Sequence, residues 1–513
     1  MLPVFVSFLL VVGTGVLLYI LRSRTPHLKP PRGPPRDPFI WHLRSMPTAQ
    51  SGLVFHRWAK TYGDVMQLDV FRQRIIVLDT HQAAADLLDK RSLIYSDRPE
   101  FPLYNLLGWT HILGFMQYDK TFVKHRQIHQ SYLSRQKCVG FLPMQTEEAR
   151  RLARNLVISP PERYSNFLSR FSTSVITRLT VGHEIVSDDD PYLELTKTVY
   201  EAVSRTGPPG NSPLDLFPFL QHFPSWFPGA YHAGVARAWK PAVRKLYEYS
   251  LQSVESERVG GRSIPSFLLS WLEESESNAS VVDREEVKGV VATMFAAGEA
   301  TTWSVVTLFI LAMVLHPDSQ LKAQNELDSV LGGARLPEFR DRESLLYIDC
   351  IVQETLRWHP ATPLGIPHRC TQDDEYRGMH IAKGSLVFAN IRGMSLDESV
   401  YKDATIFRPE RFLPVPLGNG EPHFTSAFGF GRRICTGRHL ADNSLWIAIA
   451  TILATCSISN ALDANGEKII PELVMSDGLA SHPDDFPCVI TARSPAVEAL
   501  LAEGPDSPAG PAV

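Results

Sequence analysis

The six cysteines of this 513-residue chain, at 138, 350, 370, 435, 456 and 488, include no CxxC or CxxH pair. That excludes the common zinc-ribbon spacings and the dense disulfide framework of a small secreted domain. Five of them read as ordinary thiols, and only Cys435 sits among residues that call for chemistry. An excess of positive charge is also missing: the formal net charge is −4. No basic stripe argues for nucleic acid, and none is expected as a partner. The middle of the chain has no Gly/Ser linker, no block of one charge and no internal repeat. A chain this long could hold several domains, but without such boundaries it reads as one large domain. No flavin or nicotinamide signature is seen, so a redox chemistry here would draw electrons from another chain.

Charge is absent altogether from Leu2 to Leu21. About 20 residues at ~1.5 Å each span the ~30 Å apolar core of a bilayer. Arg22, Arg24, Lys29, Arg32 and Arg36 follow this run and no basic side chain precedes it. A cleaved signal would place its basic residues first. Residues 1–24 are therefore expected to be an uncleaved single-pass anchor, with the rest of the chain on the cytosolic side. Residues 25–40, containing PHLKPPRGPPRDP, form a stiff proline-rich hinge. Residues 41–500 make the main domain, and 501–513 a disordered tail.

Apolar periodicity predicts helices over 52–62, 82–90 and much of 119–155, with a hairpin of strands at 65–70 and 74–78. From Gly207 to Gly229 prolines and aromatics alternate, as GPPGNSPLDLFPFLQHFPSWFPG. This reads as an irregular loop, either packed on the core or touching a bilayer interface. Asp283 to His316 predicts the longest helix, a rod of about 50 Å. Asp283 and Glu286 are expected to form a capping box, and Pro317 to close the helix. Further helices are predicted over 319–331, 345–358 and after Gly437.

The segment Phe428-Gly429-Phe430-Gly431-Arg432-Arg433-Ile434-Cys435-Thr436-Gly437 carries the chemical signal. Glycines let a backbone run close to a flat macrocycle. An aromatic neighbour keeps water from a sulfur. A helix starting just past Cys435 turns its positive end toward a thiolate. The segment resembles the cysteine-ligand loop of cytochromes P450, F-x-x-G-x-R-x-C-x-G, at every fixed position. Thr436 stands where many relatives carry Pro. Three further segments are similar in the right order: Glu354-Thr355-Leu356-Arg357 to E-x-x-R, Phe407 to Phe412 to the P-E-R-F segment, and Ala297 to Thr302 to the oxygen-activation motif. The likeness runs over roughly residues 30–495.

What the resemblance implies is a mostly α fold with a smaller β region, behind one N-terminal transmembrane helix. It implies haem b held by the Cys435 thiolate, with Arg126, His368 and Arg433 on the haem propionates and Arg98 as a weaker candidate. Glu354, Arg357 and Arg411 would form a structural network. Thr301 would be the catalytic alcohol that orders proton delivery. Relatives carry an acid where this chain has Ala300, and the carboxylate lies one residue earlier, at Glu299. A step of ~100° on a helix leaves two readings of Glu299, a displaced proton relay or a surface or salt-bridged residue. Phe122 replaces the tryptophan of a W-x-x-x-R pattern ending at Arg126 and loses one donor.

The implied activity is insertion of one oxygen atom from O2 into a hydrophobic small molecule. Electrons would come from NADPH through NADPH–cytochrome P450 reductase, with cytochrome b5 as a possible second donor. The style resembles microsomal enzymes of fungal secondary metabolism, which suggests a terpenoid substrate at the endoplasmic reticulum membrane. Alternatives are a haem-thiolate isomerase or dehydratase and a non-enzymatic haem-binding membrane protein.

Overall fold

The computed structural model describes residues 28–502 apart from 72, 207–211, 263 and 278–282. The expected anchor, residues 1–24, lies outside the described residues, as does nearly all of the expected tail. A proline-rich approach leads to helix α1 (Ser51–Tyr62) and the hairpin of β1 (Val65–Val70) and β2 (Gln73–Leu78). β-Branched and other apolar residues make up eight of the twelve strand positions, and every residue of β1 is buried, Gln67 and Asp69 included. The sheet runs β1, β2, then β4 (Leu386–Ala389), then β3 (His368–Arg369), with β2 and β4 parallel. The small sheet thereby brings a strand from each end of the chain to one place.

The rest is mainly helical. Predicted 82–90 begins as α-helix at His81–Ala84 and widens into a π-turn over Ala85–Lys90. The 119–155 region divides into α2 (Lys120–Tyr132), a short turn of helix at Arg135–Val139 and α3 (Leu142–Ile158). Beyond it lie helices that the periodicity did not single out: α4 (Tyr164–Val181), α5 (Pro191–Thr206) and α6 (Tyr231–Val259). In the described part of the proline-rich stretch, short turns form at Pro213–Leu216 and Pro218–His222.

Helix α7 (Arg284–Leu315) is the predicted rod, 32 residues long and buried over most of its length. Its cap differs from expectation. Asp283 accepts from the Glu285 backbone N–H at 2.7 Å, while Glu286 turns away to pair with Lys124 of α2 at 2.7 Å. A charged partner on a neighbouring helix outcompetes the local box. Helix α8 (Pro317–Leu331) follows at once, with Pro317 at its first position, where the missing N–H has no intrahelical role. Helix α9 (Leu346–Trp358) and helix α10 (Arg438–Thr455) complete the core.

One apolar cluster packs the C-terminal half of α7 against α3, α4 and α10. A second packs its N-terminal half against α5, α6 and residues 101–115. At the α4–α7 crossing, a Cβ on Gly298 would lie 2.3 Å from Ile176 Cδ1. Any larger residue there would push the Ile176 side chain aside. α7 thus runs through the domain at the boundary of both clusters, and it carries Glu299 and Thr301 at its middle.

Candidate active site

Beneath α7 lies a chamber of about 590 Å³. Its walls are mostly apolar, from Val199, Leu246, Phe295, Val305, Leu356 and Ile366 among others. Cys435, Thr301, Glu299, Arg98, Arg126, His368 and Arg433 all line it. Every residue that the sequence singled out for the site therefore meets in one cavity.

Cys435 sits at the end of a short turn just before α10. Its backbone N–H donates to the Phe428 carbonyl at 2.8 Å, which closes the loop on itself. Gly431 has φ +53°, and a Cβ there would meet the Leu88 carbonyl oxygen at 2.1 Å, so the loop can pass this point only as glycine. The Gly431 N–H donates to the Asp89 carboxylate. Phe430 buries its ring against His81, centroids 5.6 Å apart, and His81 Nδ1 is 2.9 Å from Ser426 Oγ. Burial raises the Cys435 thiol, while backbone N–H groups of Gly437 and Arg438 and the charges of Arg438 and Arg126 oppose that rise. These are the groups that steady a sulfur anion at a helix start.

Four basic side chains surround the chamber, each tied to backbone carbonyls. Arg126 Nη2 donates to the Ile434 carbonyl at 2.8 Å. Arg433 donates to the carbonyls of Ser96 at 2.6 Å and Met116 at 2.9 Å. Arg98 donates to those of Gly114, Ile366 and Pro367 at 3.0, 2.5 and 2.9 Å. His368 places Nδ1 2.7 Å from the Tyr95 carbonyl, so Nδ1 carries the proton and Nε2 is left to a ligand. Among the described residues none of the four forms an ion pair with a carboxylate. Burial lowers all of them, Arg433 to about 9. Buried cations without counter-ions are costly, and a ligand with paired carboxylates would relieve them.

Phe122 has a part that its sequence reading missed. The Arg433 guanidinium lies 3.6 Å from the centre of the Phe122 ring, a cation–π contact on a fully buried aromatic. Position, not hydrogen-bonding capacity, makes this residue useful. No sequence signal marks it beyond its place in the W-x-x-x-R pattern.

On α7, Thr301 Oγ1 donates to the Ala297 carbonyl at 2.7 Å and faces the chamber. Glu299 is neither a surface residue nor salt-bridged. It is 9% exposed, and Ser169 Oγ of α4 donates to its Oε1 at 3.3 Å. Burial raises its carboxyl to about 7, only partly offset by Ser169. The salt-bridged reading of Glu299 is thereby corrected: α4 offers a hydroxyl there, not a cation.

Behind the cysteine loop the Glu354 network is complete. Arg357 clasps Glu354 with two bonds of 2.7 and 2.8 Å, and Arg411 approaches the same carboxylate at 3.0 Å. All three are fully buried. Arg411 also pairs with Glu421 at 2.8 Å, a member outside any recognised motif.

A thiol at a helix start, on the same apolar chamber as a helix with a central alcohol and rimmed by cations without carboxylate partners, defines a haem-thiolate site. The cations fit the propionates and the glycine-rich loop fits the macrocycle. The family model for cytochrome P450 matches residues 31–483, and the chain belongs to that family. It is 34% identical to a cytochrome P450 monooxygenase of Armillaria gallica, over 92% of this chain and 94% of that one. It is 35% identical to cytochrome P450 monooxygenase 98 of Postia placenta, over 96% and 97%. A zebra fish cytochrome P450 solved with abiraterone has the same fold, with a TM-score of 0.70, 22% identity and coverage of 86% and 100%. Members of this family are oxygen-incorporating oxidoreductases that hold haem through a cysteine thiolate.

Proposed function

We propose that this protein is a membrane-anchored monooxygenase that inserts one oxygen atom from O2 into a hydrophobic metabolite, with Cys435 as the thiolate that would hold the haem. The meeting of Cys435 and Thr301 in one apolar chamber carries the reading. Haem supplies oxygen activation when bound. Arg126, Arg433 and His368 hold its propionates, with Arg98 buttressing the same rim. Thr301 orients protons toward the reacting oxygen, and Glu299, close to half protonated at neutral pH, supplies them in place of the acid missing at Ala300. The chamber's walls favour a substrate of terpenoid character. Electrons come from NADPH through its reductase, with cytochrome b5 as a second donor. A place in secondary metabolism goes with this reading, and the likeness to monooxygenases of Armillaria gallica and Postia placenta supports a fungal setting.

Residues 1–24 serve as the anchor in this reading, and exposed aromatics of the described residues supply a second membrane contact. Phe39 is 88% exposed, Trp226 81% and Tyr231 64%. Ring contacts from Trp41 to Phe71 to Phe217 link the segment after the hinge to the proline-rich stretch. Aromatics so placed suit a bilayer interface, with the catalytic domain in the cytosol at the endoplasmic reticulum. The deciding experiment is the reduced, CO-bound spectrum. Wild type absorbs near ~450 nm, as thiolate ligation requires, and Cys435→Ala loses this band. Retention of the band in Cys435→Ala refutes the assignment.

A further inference from the structure

Trp109 is 4% exposed and lines the chamber, yet its indole Nε1 has no hydrogen-bond partner. The ring is firmly held. Phe115 stacks on it at 5.7 Å and 20°, Tyr104 lies at 5.5 Å, and the Trp109 backbone N–H donates to the Tyr104 carbonyl at 2.9 Å. The indole therefore cannot turn outward to find water without breaking these contacts. An indole N–H only donates. Leaving such a donor dry is unfavourable, and native proteins rarely do so unless something else supplies the acceptor.

The acceptor could belong to a haem propionate or to the substrate. The packing favours the substrate. Trp109 shares its apolar cluster with Val199 of α5 and Leu246 of α6, and both of these also line the chamber. Propionates already have charged partners in Arg98, Arg126 and Arg433, which are fixed by the carbonyls of Ser96, Gly114, Met116, Ile366 and Ile434, so they do not need a neutral indole donor. We propose that Trp109 is a specificity-determining residue whose indole N–H binds an oxygen already present on the substrate. The substrate class is then an oxygenated hydrophobic skeleton, a ketone or alcohol rather than a bare hydrocarbon. The reaction preceding this one must itself introduce oxygen, by oxidation or hydration of the skeleton. The inference rests on the reading of the chamber as a hydrophobic substrate site.

The test uses haem-loaded full-length protein and two shape-matched pairs, decalin with 2-decalone and adamantane with 2-adamantanone. Optical titration gives the Kd of each for wild type and for Trp109→Phe, which keeps one aromatic ring and removes the donor. The hydrocarbon of each pair reports the accompanying loss of ring volume, so the ketone-to-hydrocarbon ratio isolates the donor. Wild type should favour the ketone of each pair, and Trp109→Phe should reduce that ketone-to-hydrocarbon preference by about fivefold, the size of one net hydrogen bond. Haem retention should stay unchanged. An unaltered preference overturns the proposal. Loss of haem with an unaltered preference also overturns it and assigns the donor to a propionate. Failure of all four compounds to bind wild type overturns the substrate-site reading itself, an outcome distinct from the other two.

Discussion

Replacing Glu299 by glutamine should make the protein more stable at pH 8 and leave it nearly unchanged at pH 4.5. Burial raises the carboxyl from its ordinary 4.5 to about 7. At ~1.4 kcal/mol per pH unit, holding the charged form at high pH costs about 3 kcal/mol. The sign follows from linkage. A folded-state pKa above the unfolded one gives stability that is full below about 4.5 and is lost as pH rises through about 7. Glutamine has nearly the shape of the neutral acid and can still accept from Ser169, so it escapes the loss. Urea midpoints of wild type and Glu299→Gln, measured at pH 4.5 and 8, isolate the effect as a difference of differences. It should approach 3 kcal/mol and should be mostly complete by pH 7. Parallel pH dependence of the two proteins would refute the buried, neutral carboxyl. A variant less stable at every pH would point instead to an ion pair.

In the same variant, product formation should slow by ~10²–10⁴-fold if Glu299 relays protons, and normal product per NADPH would leave ordered water around Thr301 to do so. Thr301→Ala should keep NADPH consumption while product falls and peroxide rises, read by simultaneous assay of all three. Arg357→Ala strands Glu354 with half its partners, and should cost about 3–5 kcal/mol and most haem incorporation, read by thermal unfolding and haem content. Phe122→Leu removes the ring beneath Arg433 and should weaken haem retention by about three- to tenfold in transfer to an apo-globin acceptor. Deleting residues 1–24 should release much of the protein from membranes, and adding Phe219→Ser and Trp226→Ser should release the rest, read by sedimentation.

Much of the site was legible because its chemistry needs particular residues at fixed chain spacing. The cysteine loop, the Glu354–Arg357 pair and the α7 alcohol each lie within a few residues of sequence, and each meets its partner in the structure. The Asp283 cap was also foreseen, but Glu286 was not free to answer it, because Lys124 lies across the space between two helices. Glu299 could be placed on α7 but not faced, since its surroundings come from Ser169, 130 residues away. Helices α4 to α6 escaped notice for a related reason. In α4 buried Ser172, Thr173, Ser174, Thr177 and Thr180 blur the apolar stripe, their hydroxyls pairing in part with the helix's own carbonyls. Proline at 241 inside α6 reads as a break that tertiary packing overrides. Phe122 and Trp109 show the same limit, since what a ring faces is decided by remote chain.

Helix α7 is long and apolar enough to cross a membrane, yet two-thirds of its most apolar window is buried inside the protein. Composition alone would count it as a second span after the proposed N-terminal anchor. With that anchor, an even number of crossings would return the chain to its starting side and put Cys435 across the membrane from the proposed electron donors. What forbids that topology is the grip of α3, α4 and α10 on α7. The newly made chain therefore carries a segment whose compartment is settled by whether it meets those helices before it meets lipid.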